Sequence, residues 1–206
     1  MRFDIHVHTD ISACSALSIE EILQNARGLG LDGVCITDHE SIGVRDRVAE
    51  GLQADGLCLI FGMEYSTADG DFLLFGPVED LPLGLEAREL LLQFSSLGGV
   101  AIAAHPFRTD RPTSEFVVRD GLCTIIEGIN GRNREIENLR CQAWQSRYGV
   151  KLAGGSDAHS LAELGRIVIR MPGPVGNRDE FVEALRRGRF SLEGCTDRVR
   201  SIAADS

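Results

Sequence analysis

The sequence predicts an α/β protein with mostly parallel strands, and three observations predict it. Apolar, β-rich runs alternate with segments of helical periodicity along the chain, the pattern of parallel strands joined by crossover helices. Helix-start signals stand where the periodic segments begin, at Ser18 with Glu21 and at Asn177 with Glu180. Strand and helix units numbering about seven in 206 residues fit a compact, slightly incomplete barrel better than an open sheet.

Taken in order, FDIHVH is the first strand. A capped helix follows from Ser18, with Ile19, Ile22, Leu23 and Ala26 on one face and Gly28 or Gly30 ending it. GVCIT is the second strand, followed by a helix near Val44 to Ala54. LCLIFGMEY and FLLFG are the next strands, and a helix near Glu86 to Leu97 leads to VAIAAH. CTIIEGI, a long helix near Arg134 to Tyr148 and the strand KLAGGS come next. RIVIRM, a helix near Asp179 to Arg187 and a short strand RFSLEG complete the series. One domain over residues 1–194 is expected, with 195–206 a fraying tail.

A composition of 43% hydrophobic and 25% charged residues belongs to a globular chain rather than a disordered or fibrous one. No apolar run reaches the roughly 18 residues that span a bilayer, and no basic then apolar leader opens the chain, so a cytoplasmic protein is expected. The six cysteines form no C-x-x-C pair and sit partly inside strand-like runs, which reads as core packing in a reducing compartment. The net charge of −10 repels polyanions, so polymeric nucleic acid and anionic membranes are expected to be unlike partners, and a small phosphorylated substrate a better one. Lys151 is the one lysine, which excludes a P-loop.

The five histidines carry the functional signal. His6, His8, His39, His105 and His159 each lie at or just after the end of a predicted strand. In a parallel barrel those ends share one face, where such folds place their chemistry. Residues two apart on a strand point the same way, so His6 pairs with His8, and Asp157 with His159 where the strand continues. With Glu64 they give imidazoles and carboxylates in the mixture that suits Zn, Mn or Fe, and more than four ligands imply more than one ion.

HVHTDISACS, ITDHES, GMEYS, AAHPF and GGSDAHS, in this order, resemble the motifs of the PHP family, named for polymerase and histidinol phosphatase. The resemblance implies a distorted (β/α)7 TIM-like barrel holding two to three divalent metal ions at the C-terminal ends of its strands. It implies that His6, His8, Glu64 and Asp157 hold one ion, and that Glu64 bridges to a second that also takes His105. His39 and His159 would hold a third, with Cys14 where relatives often show aspartate or histidine. Cys14 then ligates as a thiolate, favouring Zn or Fe, or is a bystander thiol. A further histidine that some relatives give the second ion has no counterpart, and Asn133 or Glu127 stands nearest to replace it. Asp38 reads as a residue that orients an imidazole.

The activity implied is metal-dependent phosphoester hydrolysis of small phosphomonoesters or nucleotides, by attack of a metal-bridging water, with Glu64 and Asp157 as the catalytic carboxylates. Arg108, Arg132 and Arg134 are the candidates for the substrate phosphate, because arginine forks match its oxygens two at a time. Two alternatives stand beside it. An amidohydrolase-like C–N hydrolase is disfavoured because Lys151 begins its strand at the wrong end to bridge two ions. A metal-stabilised binding module without catalysis is separated from an enzyme by turnover.

Overall fold

The computed structural model describes residues 1–193, so the tail expected over 195–206 lies outside the described residues. The elements are, in order, β1 (Arg2–Val7), α1 (Ile19–Asn25), β2 (Gly33–Ile36), β3 (Gly51–Leu52), β4 (Cys58–Phe61), β5 (Met63–Thr67) and β6 (Gly70–Phe75). There follow α2 (Ala87–Ser96), β7 (Val100–Ala103), α3 (Phe116–Arg119), β8 (Ile125–Asn130), α4 (Glu135–Tyr148), β9 (Lys151–Gly155), β10 (Ile169–Arg170), α5 (Arg178–Arg186) and β11 (Ser191–Leu192).

A closed barrel does not form among the described residues, which corrects the expected (β/α)7 architecture. The strands divide into two mixed sheets, ordered β11-β10-β1-β2-β4-β3 and β5-β6-β7-β8-β9. The pairs β1–β2, β2–β4, β7–β8 and β8–β9 are parallel, whereas β5–β6, β6–β7, β1–β10, β3–β4 and β10–β11 are antiparallel. Among the described residues two isolated bridges, Val7 with Ala158 and His39 with Glu64, lie between the sheets. The expected strand LCLIFGMEY is broken at Gly62, where the chain leaves the first sheet for the second. A side chain there would meet the carbonyl of Leu74 and the ring of Phe75, both at 2.7 Å.

Three apolar clusters explain the layers. Cys58 and Ile60 of β4, and Leu73 and Phe75 of β6, pack with Phe3, Ile5, Ile102 and Ile125 in a cluster shared by both sheets. Their neighbours alternate outward: Leu59 and Phe61 pack with Ile19 and Ile22 of α1, and Phe72 and Leu74 with α2, α3 and α4. Strands buried on both faces read as continuous apolar runs, which is why they were visible in the sequence. Helix α5 closes the shared core at the N-terminal end of β1, its Phe181 ring 5.4 Å from that of Phe3 and 5.1 Å from that of Phe75. Burial of each such side chain contributes about 1.5–3 kcal/mol.

The capping box of Ser18 and Glu21 forms, and the Asn177 side chain accepts from the backbone N–H of Glu180. The helix expected near Val44 to Ala54 does not form. One 3-10 turn over Gly43–Asp46 and the two residues of β3 take its place. Gly51 there adopts φ +98°, a conformation that ends helices, and only Val44 of the turn is buried.

Candidate metal centre

Two strand irregularities aim the site. The register between β1 and β2 shifts between Asp4 and Val7. Phe3 and Ile5 therefore face the shared core while Val7 joins the outer cluster, and His6 and His8 stand above Ile5 on the inner side. The register between β8 and β9 shifts between Glu127 and Ile129, which brings Glu127 and Asn130 to the same side, with Asn130 Nδ2 donating to Glu127 Oε2 at 3.0 Å. Gly155 lets the two systems meet, since a Cβ there would lie 2.4 Å from the Cβ of His6.

Glu64 occupies the middle. Its Oε2 lies 3.4 Å from His6 Nε2, 3.1 Å from His8 Nε2 and 3.2 Å from His39 Nδ1. Its Oε1 lies 3.0 Å from His105 Nε2. Asp157 Oδ1 is 3.5 Å from both His6 Nε2 and His8 Nε2. Burial opposes the charge on Glu64 and on Asp157, yet the facing imidazoles outweigh it and hold both carboxyls well below the usual range. Burial likewise opposes the His6 cation, and the carboxylates of Glu127, Asp157 and Glu64 raise its pKa well above the ordinary value. His39 and His159 are pushed down, mainly by burial.

Among the described residues three groups of side chains bring their ligand atoms within 4.8 Å of one another: His6, His8 and Asp157; Glu64, Asp71 and His105; and His8, His39 and His159. The tautomers test whether cations fit. Ser12 Oγ donates to Asp38 Oδ1 at 2.6 Å, so its lone pairs face the N–H of His39 and Nδ1 of His8, at 3.0 and 3.4 Å. Nδ1 of His6 donates to Glu127 Oε1 at 2.9 Å, and Nδ1 of His159 to the carbonyl of Asp157 at 2.8 Å. A neutral ring that donates at Nδ1 presents a lone pair at Nε2. His6 Nε2 and His8 Nε2 face each other at 3.0 Å, so in the metal-free protein one ring donates a proton to the other, and a cation ligated by both would take that proton's place. The donor set fits divalent cations.

The surroundings fix these rings. Asp38 accepts from the N–H of Thr9 at 2.7 Å and its hydroxyl at 2.6 Å, and so reaches His8 through Ser12. Glu127 spends its second oxygen on the N–H of His105 at 2.8 Å. Arg108 donates through Nη2 to Asp157 Oδ2 at 2.7 Å and Asn130 Oδ1 at 2.9 Å, and through Nε to Asn133 Oδ1 at 3.0 Å. Only three non-glycine residues among those described have positive φ, Glu40 at +49°, His105 at +30° and Asp157 at +54°. Such strain concentrates at functional sites. The turn at Asp157 also ends β9, so His159 reaches the centre from a loop rather than from a continued strand.

The structure thus gathers His6, His8, His39, Glu64, His105, Asp157 and His159, with Asp38 and Arg108 beside them. Of the two readings of Cys14, the exposed position of its thiol, outside the three groups, favours the bystander. The third group is completed by His8. Glu127 and Asn133 are committed to His6 and Arg108 and leave the second group to Asp71. Arg132 Nε lies 3.8 Å from Glu163, which accepts the N–H of His159, while the fork of Arg134 is engaged by Glu137 at 2.7 Å. Lys151 donates to the carbonyl of Gly188, away from the centre. Asp71 and Ser12 escaped the sequence reading. The signal for Asp71 was an acid opening the apolar run FLLF, a place where an unpaired carboxylate is costly.

A family model described as PHP-associated matches residues 135–190. The uncharacterized protein MJ0417 of Methanocaldococcus jannaschii is 31% identical over 178 residues, covering 82% of this chain and 70% of that protein. A two-domain protein from Bacteroides vulgatus containing a predicted PHP-like metal-dependent phosphoesterase superposes with a TM-score of 0.69 at 18% identity, covering 93% of this chain and 64% of that one. The lesion-specific endonuclease Q of Pyrococcus furiosus does so with a TM-score of 0.69 at 18% identity, covering 93% and 58%. An Endonuclease Q is also seen with a 27-mer duplex substrate carrying an abasic lesion at the active site, with a TM-score of 0.67 at 17% identity and coverage of 90% and 56%. These two structures correct the partner expected from charge, a small phosphorylated molecule with polymeric nucleic acid the less expected one. Net charge is a sum over the chain, whereas the field that a phosphate meets is set locally by cations and arginines.

Proposed function

The chain belongs to the PHP family, and from that premise we propose that it is a metal-dependent phosphoesterase that hydrolyses phosphodiester bonds of nucleic acid, with water as the attacking group. Three sets of residues would hold its divalent cations, Zn, Mn or Fe: His6, His8 and Asp157; Glu64, Asp71 and His105; His8, His39 and His159. Bound there, such cations supply Lewis acidity at phosphorus oxygens and lower the pKa of water toward neutrality. The observation that carries the reading is the sharing within these sets, in which Glu64 faces four imidazoles and His8 serves two groups.

The chain's own residues orient the rest. Glu127, Ser12 and the Asp157 carbonyl hold the protons of His6, His8 and His159 at Nδ1 and keep Nε2 free to ligate. Arg108, 22% exposed and fixed by three acceptors, offers its remaining N–H groups to a phosphate without losing the freedom of a loose side chain. Arg111 and Arg132, 47% and 44% exposed, extend the positive rim on either side, where a polymer's neighbouring phosphates would lie. The apolar core beneath His6 and His8 excludes water from below.

Metal-free protein and protein loaded with Mn, Zn or Fe are each incubated with end-labelled single-stranded and duplex oligonucleotides. Cleavage by loaded protein is expected, with Asp157→Asn slower by about 100-fold or more and Arg108→Ala by about 100-fold. Intact oligonucleotides after incubation with fully loaded protein overturn the reading.

A further inference from the structure

The ligand groups differ in chemistry. His8, His39 and His159 offer imidazole nitrogen alone, whereas Glu64, Asp71 and His105 offer two carboxylates and one imidazole. Asp71 reaches its place because β6 runs antiparallel to β7, which puts the start of β6 beside the end of β7 and the backbone N–H of Ala104 on the Asp71 carbonyl at 2.9 Å.

Its carboxylate is divided between two tasks. Arg111 Nη2 donates to Oδ1 at 2.6 Å while also donating to Ser66 Oγ at 3.0 Å. Oδ2 is left turned inward, 3.8 Å from His105 Nε2, which is 3.0 Å from Glu64 Oε1. Glu64, Asp71 and His105 are all buried. Nδ1 of His105 is buried without a hydrogen-bond partner, so the ring proton sits on Nε2 against Glu64 Oε1 in the metal-free protein, and a cation there would displace it to Nδ1. An ion pair with Arg111 accounts for Oδ1 alone. The inward oxygen, gathered with a second carboxylate and an imidazole nitrogen within 4.8 Å of one another, is the arrangement of a cation site.

Hard cations prefer carboxylate oxygen and Zn2+ suits imidazole, so two such groups discriminate between metals even where Zn2+ binds both more tightly. We propose that the centre is a mixed-metal one, in which Glu64, Asp71 and His105 form an oxygen-rich site for Mn2+ or Mg2+ and His8, His39 and His159 a nitrogen-rich site for Zn2+. Asp71 sets the difference, and Arg111 is the positioning residue that holds it. This rests on the reading that the centre holds cations.

Metal-free full-length protein receives one equivalent of Zn2+ and then less than one of Mn2+, and pulsed EPR counts the nitrogens coupled to the bound Mn2+. A single imidazole nitrogen is expected. Asp71→Asn should weaken Mn2+ binding by about 100-fold and Arg111→Gln by about tenfold, both leaving Zn2+ at the imidazole group. Asp71→His should raise the nitrogen count to two and let Zn2+ displace Mn2+ more readily. Mn2+ coupled to several nitrogens in the unmodified protein overturns the proposal, and that measurement needs no variant to fold. Mn2+ held by Asp71→Asn with unchanged affinity also overturns it, whatever the outcome of the oligonucleotide test on the unmodified protein. Failure of the protein to bind any metal overturns the functional reading together with this one.

Discussion

Glu127 has no oxygen left for a cation. Oε1 accepts from His6, and Oε2 accepts from the N–H of His105 and from Asn130. Its work is to hold the proton of His6 at Nδ1. Glu127→Gln presents an amide that either donates to Nδ1 or rotates away, and the affinity of the centre for Mn2+ or Zn2+ should fall by about 10- to 100-fold in equilibrium dialysis. Unchanged affinity would mean that His6 is oriented by its strand alone. At this scale much of the site was legible. Histidine has few ordinary reasons to stand at five strand ends, so His6, His8, His39, His105 and His159 declared themselves as a set. Ser12 was not legible, because a serine four residues after a histidine is unremarkable until Asp38 is seen to take its proton.

Among elements, the strand bulges and one glycine decide whether the ligands meet. Gly155→Ala places a methyl group against the Cβ of His6. It should cost about 1–3 kcal/mol in a denaturant melt and weaken metal binding, as overpacking does. Helix α4 supplies a test by pH. The Arg134 guanidinium and then the Thr109 hydroxyl, bonded to Glu137 Oε1 at 2.7 and 2.8 Å, lower the Glu137 pKa from 4.5 to about 2. A carboxyl depressed in the folded state stabilises it fully above its unfolded pKa and loses that contribution as pH falls through the folded one. Glu137→Gln should therefore be less stable than the unmodified protein by about 1–2 kcal/mol at pH 6. The gap should close between pH 4.5 and about 2, and a gap independent of pH would contradict the assignment. The capped helices were readable because their signals are local. The segment after Val44 was misread because Val44, Val48 and Leu52 share helical spacing, while Gly51 and the recruitment of Glu50 by the N–H of Phe61 decide otherwise.

For the molecule as a whole, the alternation of strands and helices announced an α/β fold but not how it divides into sheets. Antiparallel β6 is the reason. A parallel reading puts ligands only after strands, whereas β6 brings Asp71 from the start of one. Among the described residues no helix is long and apolar enough to cross a membrane. Buried carboxylates and imidazoles at this density tie stability to cations. A ligand present at 100 times its Kd stabilises by about 2.7 kcal/mol. Saturation with Mn2+ or Zn2+ should raise the midpoint of thermal unfolding by roughly 5–10 °C for a chain of this size, and a chelator should reverse it. The central claim is that the shared clusters make phosphodiester hydrolysis depend on metal. It is tested most directly by following cleavage of a labelled oligonucleotide while metal-free protein is titrated with Mn2+, alongside Glu64→Gln. The account predicts no cleavage before the clusters fill, turnover once they have, and none in the variant. Cleavage by metal-free protein, or by Glu64→Gln at the unmodified rate, would contradict it.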